Sequence, residues 1–286
     1  MKYETVCRIP GRSGRFEVRY ENGVLTQLKP HANGSDTEPQ FWLSSGLFDM
    51  QVNGMLGHNL SSDQLTIEKV VEIDEGLAEH GVTCWCPTIT TESAELVERN
   101  LKIITAAVES GGVPGVHCLH LEGHYISAEP GFRGVHMPRY IRDPDPEEFS
   151  RWQEAAKGRI GLFSLAPNRK GSLEFIKLLR RRGVRPALVH HDAKHREIVE
   201  AVAAGADLSS HLVNGCASMI HRQHNIIWSQ LSIDDLWASF IADGYHIPHY
   251  TLKAVIRSKS VARSILVSDL SHLSGLPDGE YTKNEQ

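Results

Sequence analysis

From Phe41 onward, short apolar runs typical of buried strands alternate with longer amphipathic segments typical of helices. This alternation predicts a parallel sheet covered by helices, and eight repeats of it predict an α/β fold, the (β/α)8 barrel of the TIM type. The predicted strands span residues 46–52, 82–89, 116–121, 160–166, 186–190, 206–211, 237–242 and 264–268. The predicted helices span 66–80, 91–109, 146–156, 173–182, 194–204 and 252–259.

A doubly wound open sheet is the alternative fold with the same alternation. It would place a glycine-rich phosphate loop after the first strand, but residues 51–57 read QVNGMLG, which is not that fingerprint. Residues 1–40 have a different character, with three short strand-like runs, an Asn22-Gly23 hairpin signal and a turn-rich loop over 31–40. We therefore expect a small β-subdomain over residues 1–40 and a barrel over residues 41–286.

The bulk composition narrows the class of protein. Of the 286 residues, 41% are hydrophobic and 23% are charged, as in an ordinary soluble globular protein. The net charge of -5 offers no basic surface for nucleic acid, so we expect no nucleic-acid partner. No signal peptide opens the chain and no apolar run approaches membrane length. The expected location is the cytoplasm, away from membranes.

The chain has five cysteines. Cys84 and Cys86 alternate along a predicted strand, so their thiols share one face. With no second cysteine pair nearby in sequence, a zinc role for them is not expected. Most of the five are interpreted as small buried hydrophobic residues.

Polar clusters lie at the ends of five predicted strands. The carboxyl ends of barrel strands are where barrel enzymes place metal ligands and bases, so an ordered series of such clusters predicts an active site. The clusters are Gln51-Val52-Asn53, His120-Leu121-Glu122-Gly123, His190-His191-Asp192, Ser210-His211-Leu212-Val213-Asn214 and Val267-Ser268-Asp269.

Within these clusters, Glu122, His190 and His211 are the predicted metal ligands. One carboxylate and two imidazoles suit a single divalent ion, with zinc favoured and iron or another ion as alternatives. For each histidine alone, the alternative is a hydrogen-bonded polar residue at the barrel rim. His191 and His195 compete for the same role, but strand alternation turns His190 inward and His191 away if Val189 points outward.

Asp269, at the end of the last strand, is the predicted general base and acid. The alternative is a helix N-cap, a position that Asp also favours. His246 is a candidate for orienting substrate or for stabilising oxyanion charge, and the alternative is a surface-loop histidine. His136 lies in the long loop after the third strand and is a weaker candidate on sequence alone.

Eight segments of the barrel region resemble the N-acetylglucosamine-6-phosphate deacetylase family of the amidohydrolase superfamily. The resemblance covers about residues 41–281. It rests on GLFDMQVNG (46–54), PTIT (87–90), HLEG (120–123), RGVH (133–136), HHDA (190–193), SHLVNG (210–215), IADGYH (241–246) and LVSD (266–269).

The resemblance implies a metal-dependent enzyme that hydrolyses the acetamide of an N-acetylated amino-sugar phosphate to acetate and the free amine. The family's metal ligands, catalytic Asp and substrate-binding residues fall on positions of this chain. They are Glu122, His190 and His211 for the metal, Asp269 for catalysis, and His136, Asn214, Arg222 and His246 for substrate. Gln51 and Asn53 stand where many amidohydrolases have the His-x-His of a second metal site, so one metal is expected. The resemblance also suggests a homodimer.

The chain departs from the family pattern at four places. His124 stands for the usual Pro, the loop Arg222-Gln223-His224-Asn225 replaces Arg-Glu-Pro-Gly, and Val189 and His191 flank His190. The chain also ends at Gln286, earlier than family members, which suggests a C-terminal truncation. These departures leave two alternatives open: an amidohydrolase acting on another N-acyl or cyclic amide substrate, and a non-catalytic truncated homologue that binds a sugar or a partner.

Overall fold

The computed structural model describes residues 2–31 and 41–281. The predicted turn-rich loop, apart from residue 31, lies outside the described residues. The chain divides into two compact units, residues 1–47 and 48–286. The boundary predicted from the sequence, between residues 40 and 41, stays a prediction.

The N-terminal unit contains a three-stranded antiparallel sheet. Its strands are β1 (Lys2–Cys7), β2 (Phe16–Glu21) and β3 (Val24–Pro30), with β2 in the middle. Asn22 and Gly23 join β2 to β3 with φ values of 48° and 84°, the two positive angles of a type I′ hairpin turn. The predicted hairpin is therefore confirmed. Cys7, Phe16 and Val18 form a small buried core beside this sheet.

Between residues 47 and 281 the structure has ten further strands. Eight of them form one sheet, in the order β13-β12-β11-β10-β9-β8-β7-β4, and β5 and β6 pair only with each other. The six pairings of neighbouring strands from β7 through β13 are all parallel. The strands are β4 (Leu47–Val52), β5 (Gly54–Met55), β6 (His58–Asn59), β7 (Val82–Ile89), β8 (Leu119–Glu122), β9 (Ile160–Leu165), β10 (Arg185–Leu188), β11 (Leu208–Ser209), β12 (Trp237–Ile241) and β13 (Ser264–Val267).

Helices connect these strands. They are α1 (Ile67–Glu79), α2 (Ala94–Glu109), α3 (Pro146–Ala155), α4 (Ser172–Arg181), α5 (His195–Ala204), α6 (Ile226–Leu231) and α7 (His249–Lys259), with 3-10 turns at Pro138–Tyr140 and Val261–Arg263. The short helix α6 was not predicted from the sequence. Helix α2 begins one turn later than predicted from Thr91, because the side chain of Ser93 caps it by accepting from the Leu96 N–H. Over the described stretches, no helix is long and apolar enough to cross a membrane.

The sheet closes where its first and last strands meet. Val52 and Leu270 form a parallel bridge. The Asp269 N–H donates to the Gln51 carbonyl at 3.0 Å, and the Asn53 N–H donates to the Leu270 carbonyl at 2.9 Å. Eight strands closed in this way form the (β/α)8 barrel, as predicted, and the open-sheet alternative is wrong.

Side chains fill the barrel interior. One buried cluster contains one residue from each of seven barrel strands. The members of this cluster are Met50, Cys86, Leu162, Ala187, Leu208, Ile241 and Val267. The cluster packs against Cys118, which directly precedes the remaining strand, β8. Cys118 Sγ lies 3.6 Å from Cys86 Sγ, and both cysteines are free thiols. A larger cluster packs the helices against the outside of the sheet. The barrel interior is therefore packed with side chains, and an active site can form only at an end of the barrel.

Candidate metal and catalytic site

The predicted site residues follow the carboxyl ends of barrel strands. Glu122 is the last residue of β8, while His190, His211 and Asp269 each stand two residues beyond the end of their strand. Those three residues adopt left-handed backbone, with φ values of 45°, 29° and 54°. Non-glycine residues rarely take this conformation, and it ends the strands earlier than the sequence predicted. Local strain of this kind clusters at functional sites.

Glu122 is the centre of the cluster. Its Oε1 lies 2.7 Å from Nε2 of His211 and 3.8 Å from Nε2 of His190. Only 3% of Glu122 is exposed, and such burial alone would raise its pKa. Burial is outweighed by the hydrogen bond to His211 and by the positive charge of that ring, which hold the pKa of Glu122 below its usual range. The carboxylate is therefore charged and surrounded by imidazoles.

His190 is held by a backbone carbonyl. Its Nδ1 lies 2.7 Å from the carbonyl oxygen of Phe132, so Nδ1 carries the proton and donates. Nε2, the nitrogen on the side of Glu122, then has the lone pair that a metal ligand needs. Gly134 gives this ring its room, because a Cβ there would lie 2.9 Å from His190 Cε1 on a backbone with φ 58°. This accounts for the glycine in the RGVH segment.

The donor set fits a divalent metal. Glu122, His136 and His190 offer ligand atoms that all lie within 4.8 Å of one another. His211 touches Glu122 directly, and its buried Nδ1 has no hydrogen-bond partner among the described residues. Burial lowers the pKa of His211, but its hydrogen bond to Glu122 more than compensates and raises it to about 9. The ligand-atom cluster thus contains two of the three predicted ligands, Glu122 and His190, and adds His136, while the third predicted ligand, His211, adjoins the cluster through Glu122.

Asp269 is anchored by the two amides that the sequence analysis placed at a lost second-metal position. Its Oδ1 accepts from Gln51 Nε2 at 3.0 Å and from Asn53 Nδ2 at 2.6 Å. Gln51 is oriented in turn, because its Oε1 accepts from the Ser210 hydroxyl at 2.8 Å. Burial and the negative charge of Glu122 raise the pKa of Asp269 to about 6. The N-cap alternative is wrong, since no helix follows Asp269 within the described residues.

Asp49 was missed by the sequence analysis. Its buried carboxylate accepts from the Gln51 N–H at 3.1 Å and from the Ser268 N–H at 3.2 Å. Burial raises the pKa of this carboxyl above its usual value. Asp49 thus joins β4 to β13 directly beside Asp269. A lone acidic residue inside the apolar run Leu47–Val52 was the signal that could have revealed it.

His136 is buried next to His190. The two rings are 4.6 Å apart and nearly perpendicular, at 68°. His136 Nδ1 lies 2.6 Å from the hydroxyl of Thr91, the first residue of a helix predicted over 91–109. His120 behaves differently, because its two nitrogens contact the Thr88 and Ser164 hydroxyls inside the barrel. Burial lowers the pKa of His120 to about 4, so it is a neutral structural residue.

The structure leaves two competing histidines out of the cluster. The buried His191 Nδ1 accepts from the Ala193 N–H at 3.3 Å, and His195 Nδ1 contacts the Ser229 hydroxyl at 2.7 Å. Of the three histidines in this stretch, the one that lies beside Glu122 is His190.

The remaining predicted substrate-binding residues lie further out. Asn214 is half-buried, and both Arg222 and His246 are exposed. His246 Nδ1 lies 2.6 Å from Asp243 Oδ2, while Asp243 Oδ1 accepts two backbone N–H groups of its own turn. The carboxylate therefore orients His246 even though the ring is open to solvent. Arg222 uses its carbonyl to accept from the Trp228 indole N–H at 3.0 Å.

A cavity of about 950 Å³ is lined mainly by residues that follow His190 in the chain, although Glu122, His190 and Asp269 themselves do not line it. The segment from Met219 to Ser232 and the start of α5 form most of its wall, with Lys194, His221, His224 and Trp228 among the lining residues. Phe132, whose carbonyl holds His190, also lines it. The cavity is therefore bordered by the loop in which this sequence departs from the family pattern.

Comparisons with known proteins agree with the geometry. No family model matches the chain. It is 28% identical over 268 residues to N-acetylgalactosamine-6-phosphate deacetylase of Escherichia coli O157:H7, covering 93% of this chain and 70% of that protein. It is 32% identical over 256 residues to N-acetylglucosamine-6-phosphate deacetylase of Mus musculus, covering 85% of this chain and 61% of that protein. The crystal structure of N-acetylglucosamine-6-phosphate deacetylase from Thermotoga maritima superposes with a TM-score of 0.81 at 26% identity. The superposition covers 99% of this chain and 74% of that one.

The chain is shorter than all of these proteins. The chain spans 60 to 72% of the length of eight curated relatives that it matches.

Proposed function

The chain belongs to the N-acetylglucosamine-6-phosphate deacetylase family of the amidohydrolase superfamily, and from this premise we propose that it hydrolyses the acetamide of an N-acetylated amino-sugar phosphate. N-acetylglucosamine 6-phosphate is the favoured substrate, and the products are acetate and the free amino sugar. The observation that carries the proposal is Asp269, held by Gln51 and Asn53 next to a buried cluster of Glu122 and histidines.

In this proposal Glu122, His190 and His211 hold one divalent cation, with zinc favoured over iron. When bound, the cation supplies Lewis acidity, which lowers the pKa of a water molecule and polarises the amide carbonyl. The donor types of Glu122, His190 and His211 fit a divalent cation, since one carboxylate with two imidazoles leaves a coordination position for water.

Asp269 moves the proton. Because Oδ1 accepts from both Gln51 and Asn53, Oδ2 is the oxygen that takes the proton from the attacking water. The same oxygen then returns the proton to the leaving nitrogen, so one carboxyl serves as base and acid. His136 and His246 position the sugar and donate to the carbonyl oxygen, and Asn214 and Arg222 bind the sugar phosphate. Arg222 suits a phosphate because its guanidinium can donate two parallel hydrogen bonds.

The pH dependence of hydrolysis follows from Asp269. It must be unprotonated to accept a proton, and its pKa is raised to about 6 by burial and by Glu122. A bound cation lowers that pKa. We therefore expect kcat/KM to fall on the acid side with a midpoint at or below about pH 6 and to be level above it until other groups titrate. A pH–rate profile of zinc-loaded protein measures this, and an acid limb centred above pH 7 would contradict the assignment.

A substrate screen tests the proposed function. Acetate release is measured with the N-acetyl derivatives of glucosamine and galactosamine, each with and without a 6-phosphate, because relatives of both names match this chain. Metal per chain is measured on the same samples. We expect hydrolysis of a 6-phosphate with about one metal ion per chain. Metal-loaded protein that releases no acetate from any of the four would support the non-catalytic alternative.

The cavity bordered by the segment from Met219 to Ser232 favours a second candidate function. Its volume of about 950 Å³ is at the upper end of the roughly 300–1,000 Å³ of small-molecule sites. A larger N-acyl substrate or a cyclic amide could extend into it past the altered loop. Equal activity on phosphorylated and unphosphorylated sugars, or higher activity on a bulkier N-acyl compound, would favour this candidate. The homodimer and the cytoplasmic location stay predictions.

A further inference from the structure

Thr91 stands at the centre of a small buried network that no predicted role explains. It follows β7 and is 4% exposed. Its hydroxyl oxygen accepts from the His124 N–H at 2.8 Å and lies 2.6 Å from His136 Nδ1. One hydroxyl thus joins the end of β8 to the loop histidine beside His190.

The protons of this network can be counted. A threonine hydroxyl has one proton and two lone pairs, and one lone pair receives the His124 N–H. If His136 Nδ1 carried a proton, it would occupy the second lone pair, and the hydroxyl proton would then need another acceptor. The hydrogen bonds of Thr91 within the described chain offer no such acceptor. Burying a donor without an acceptor is costly, so the Thr91 hydroxyl donates to Nδ1. In the neutral ring, the proton of His136 is then on Nε2.

His190 is set to the opposite tautomer. Its Nδ1 donates to the Phe132 carbonyl, which places the lone pair on Nε2. The centroids of the His136 and His190 rings are 4.6 Å apart, and both rings lie near Glu122. On Nε2, however, His190 has a lone pair and His136 has an N–H. A lone pair suits a cation, and an N–H suits an oxygen of the substrate.

Gly123 makes room for this contact. A Cβ at this position would lie 2.0 Å from Thr91 Oγ1 and 2.8 Å from His136 Nδ1, on a backbone with φ 95°. Position 123 therefore requires glycine for two reasons. A side chain there would collide with the Thr91–His136 pair, and the backbone has a positive φ.

We propose that Thr91 is a positioning residue that fixes His136 as the Nε2-protonated tautomer, so that His136 donates a hydrogen bond to the substrate and does not ligate the cation. The proposal deepens the proposed function and rests on it for the identity of the substrate. The tautomer itself is a property of the protein alone, and it can be measured without any substrate.

The experiment compares Thr91→Val, which keeps the shape and removes the hydroxyl, with Thr91→Ser, which keeps the hydroxyl. Thr105→Val is the matched control, because Thr105 is equally buried and its hydroxyl has no hydrogen-bond partner among the described residues. Nitrogen-15 NMR of histidine-labelled zinc-loaded protein reports the tautomer, and the His136 signals are identified by their loss in His136→Gln. Zinc affinity and kcat/KM for the substrate found in the screen are measured on all variants.

We expect the wild-type His136 signals of an Nε2-protonated ring, a changed tautomer population in Thr91→Val, and recovery in Thr91→Ser. We expect kcat/KM of Thr91→Val to fall about 10–100-fold, the usual effect of removing an outer partner of a site residue, with zinc affinity unchanged. His136→Gln should also keep its zinc. An Nδ1-protonated ring in the wild type, or a loss of zinc affinity in His136→Gln, would overturn the proposal. If no substrate is hydrolysed while the tautomer is as expected, only the proposed function fails.

Discussion

The Asp269→Asn protein is expected to bind zinc as the wild type does and to lose nearly all turnover. The new amide oxygen can still accept from Gln51 Nε2 and Asn53 Nδ2, so the side chain keeps its place. The other atom becomes an NH2 group, which cannot accept a proton from water. General acid–base catalysis contributes about 10²–10⁴-fold, so kcat should fall by that factor or more. Steady-state kinetics and zinc per chain measure the two effects.

Asp235→Asn is the matched control for this variant. It makes the same change of charge at an exposed position before β12 and should behave as the wild type. A loss of zinc in Asp269→Asn would show that Asp269 is a ligand rather than the proton acceptor. Unchanged kcat with zinc retained would place the base elsewhere in the site.

The Glu122→Gln protein is expected to lose its metal and, with it, its activity. Glu122 is the carboxylate of the buried cluster, with His211 Nε2 at 2.7 Å and His190 Nε2 at 3.8 Å. A neutral amide keeps the volume but removes the negative charge that offsets the cation. Losing even an outer partner of a ligand typically weakens metal binding about 10–100-fold, so zinc affinity should fall by more than about 100-fold. Competition with a chelator measures it.

Thermal unfolding gives a second measurement of the same variant. A ligand that binds the folded state raises the unfolding temperature, so zinc should stabilise the wild type and leave Glu122→Gln nearly unchanged. Glu129→Gln, at an exposed position in the loop after β8, is the control and should respond to zinc as the wild type does. Wild-type zinc affinity in Glu122→Gln would mean that the cation binds elsewhere.

The barrel could be predicted from the sequence because it follows from local patterns, and the same patterns led to the residues of the candidate site. Alternating strands and helices predict the parallel sheet, and the carboxyl ends of its strands meet at one rim. Glu122, His190, His211 and Asp269 became candidates because each follows an apolar run. The cluster that they form in the structure is the one that this rule predicts.

Contacts made across the chain could not be predicted from local patterns. Gln51 and Asn53 were predicted to mark a replaced second-metal position, which stays a prediction, and the contact of their amides with Asp269, more than 200 positions away in the sequence, was not foreseen. Thr91 was mistaken for a helix start because its partner, His136, lies 45 positions away. Residue propensities also do not predict the left-handed backbone at His190, because the surrounding structure imposes it.

The junction of β4 with the end of β13 closes the barrel, and it also holds Asp269, the proposed proton acceptor. Gln51 and Asp269 are separated by 218 positions, among the longest connections in the chain. Contacts of such high sequence separation form late and slow folding, because the loop between them must first be ordered. A chain that has folded everything except this junction would have its imidazole cluster but no proton acceptor. Recovery of catalysis during refolding should therefore lag behind recovery of helix content, and catalysis itself would report the final step of assembly.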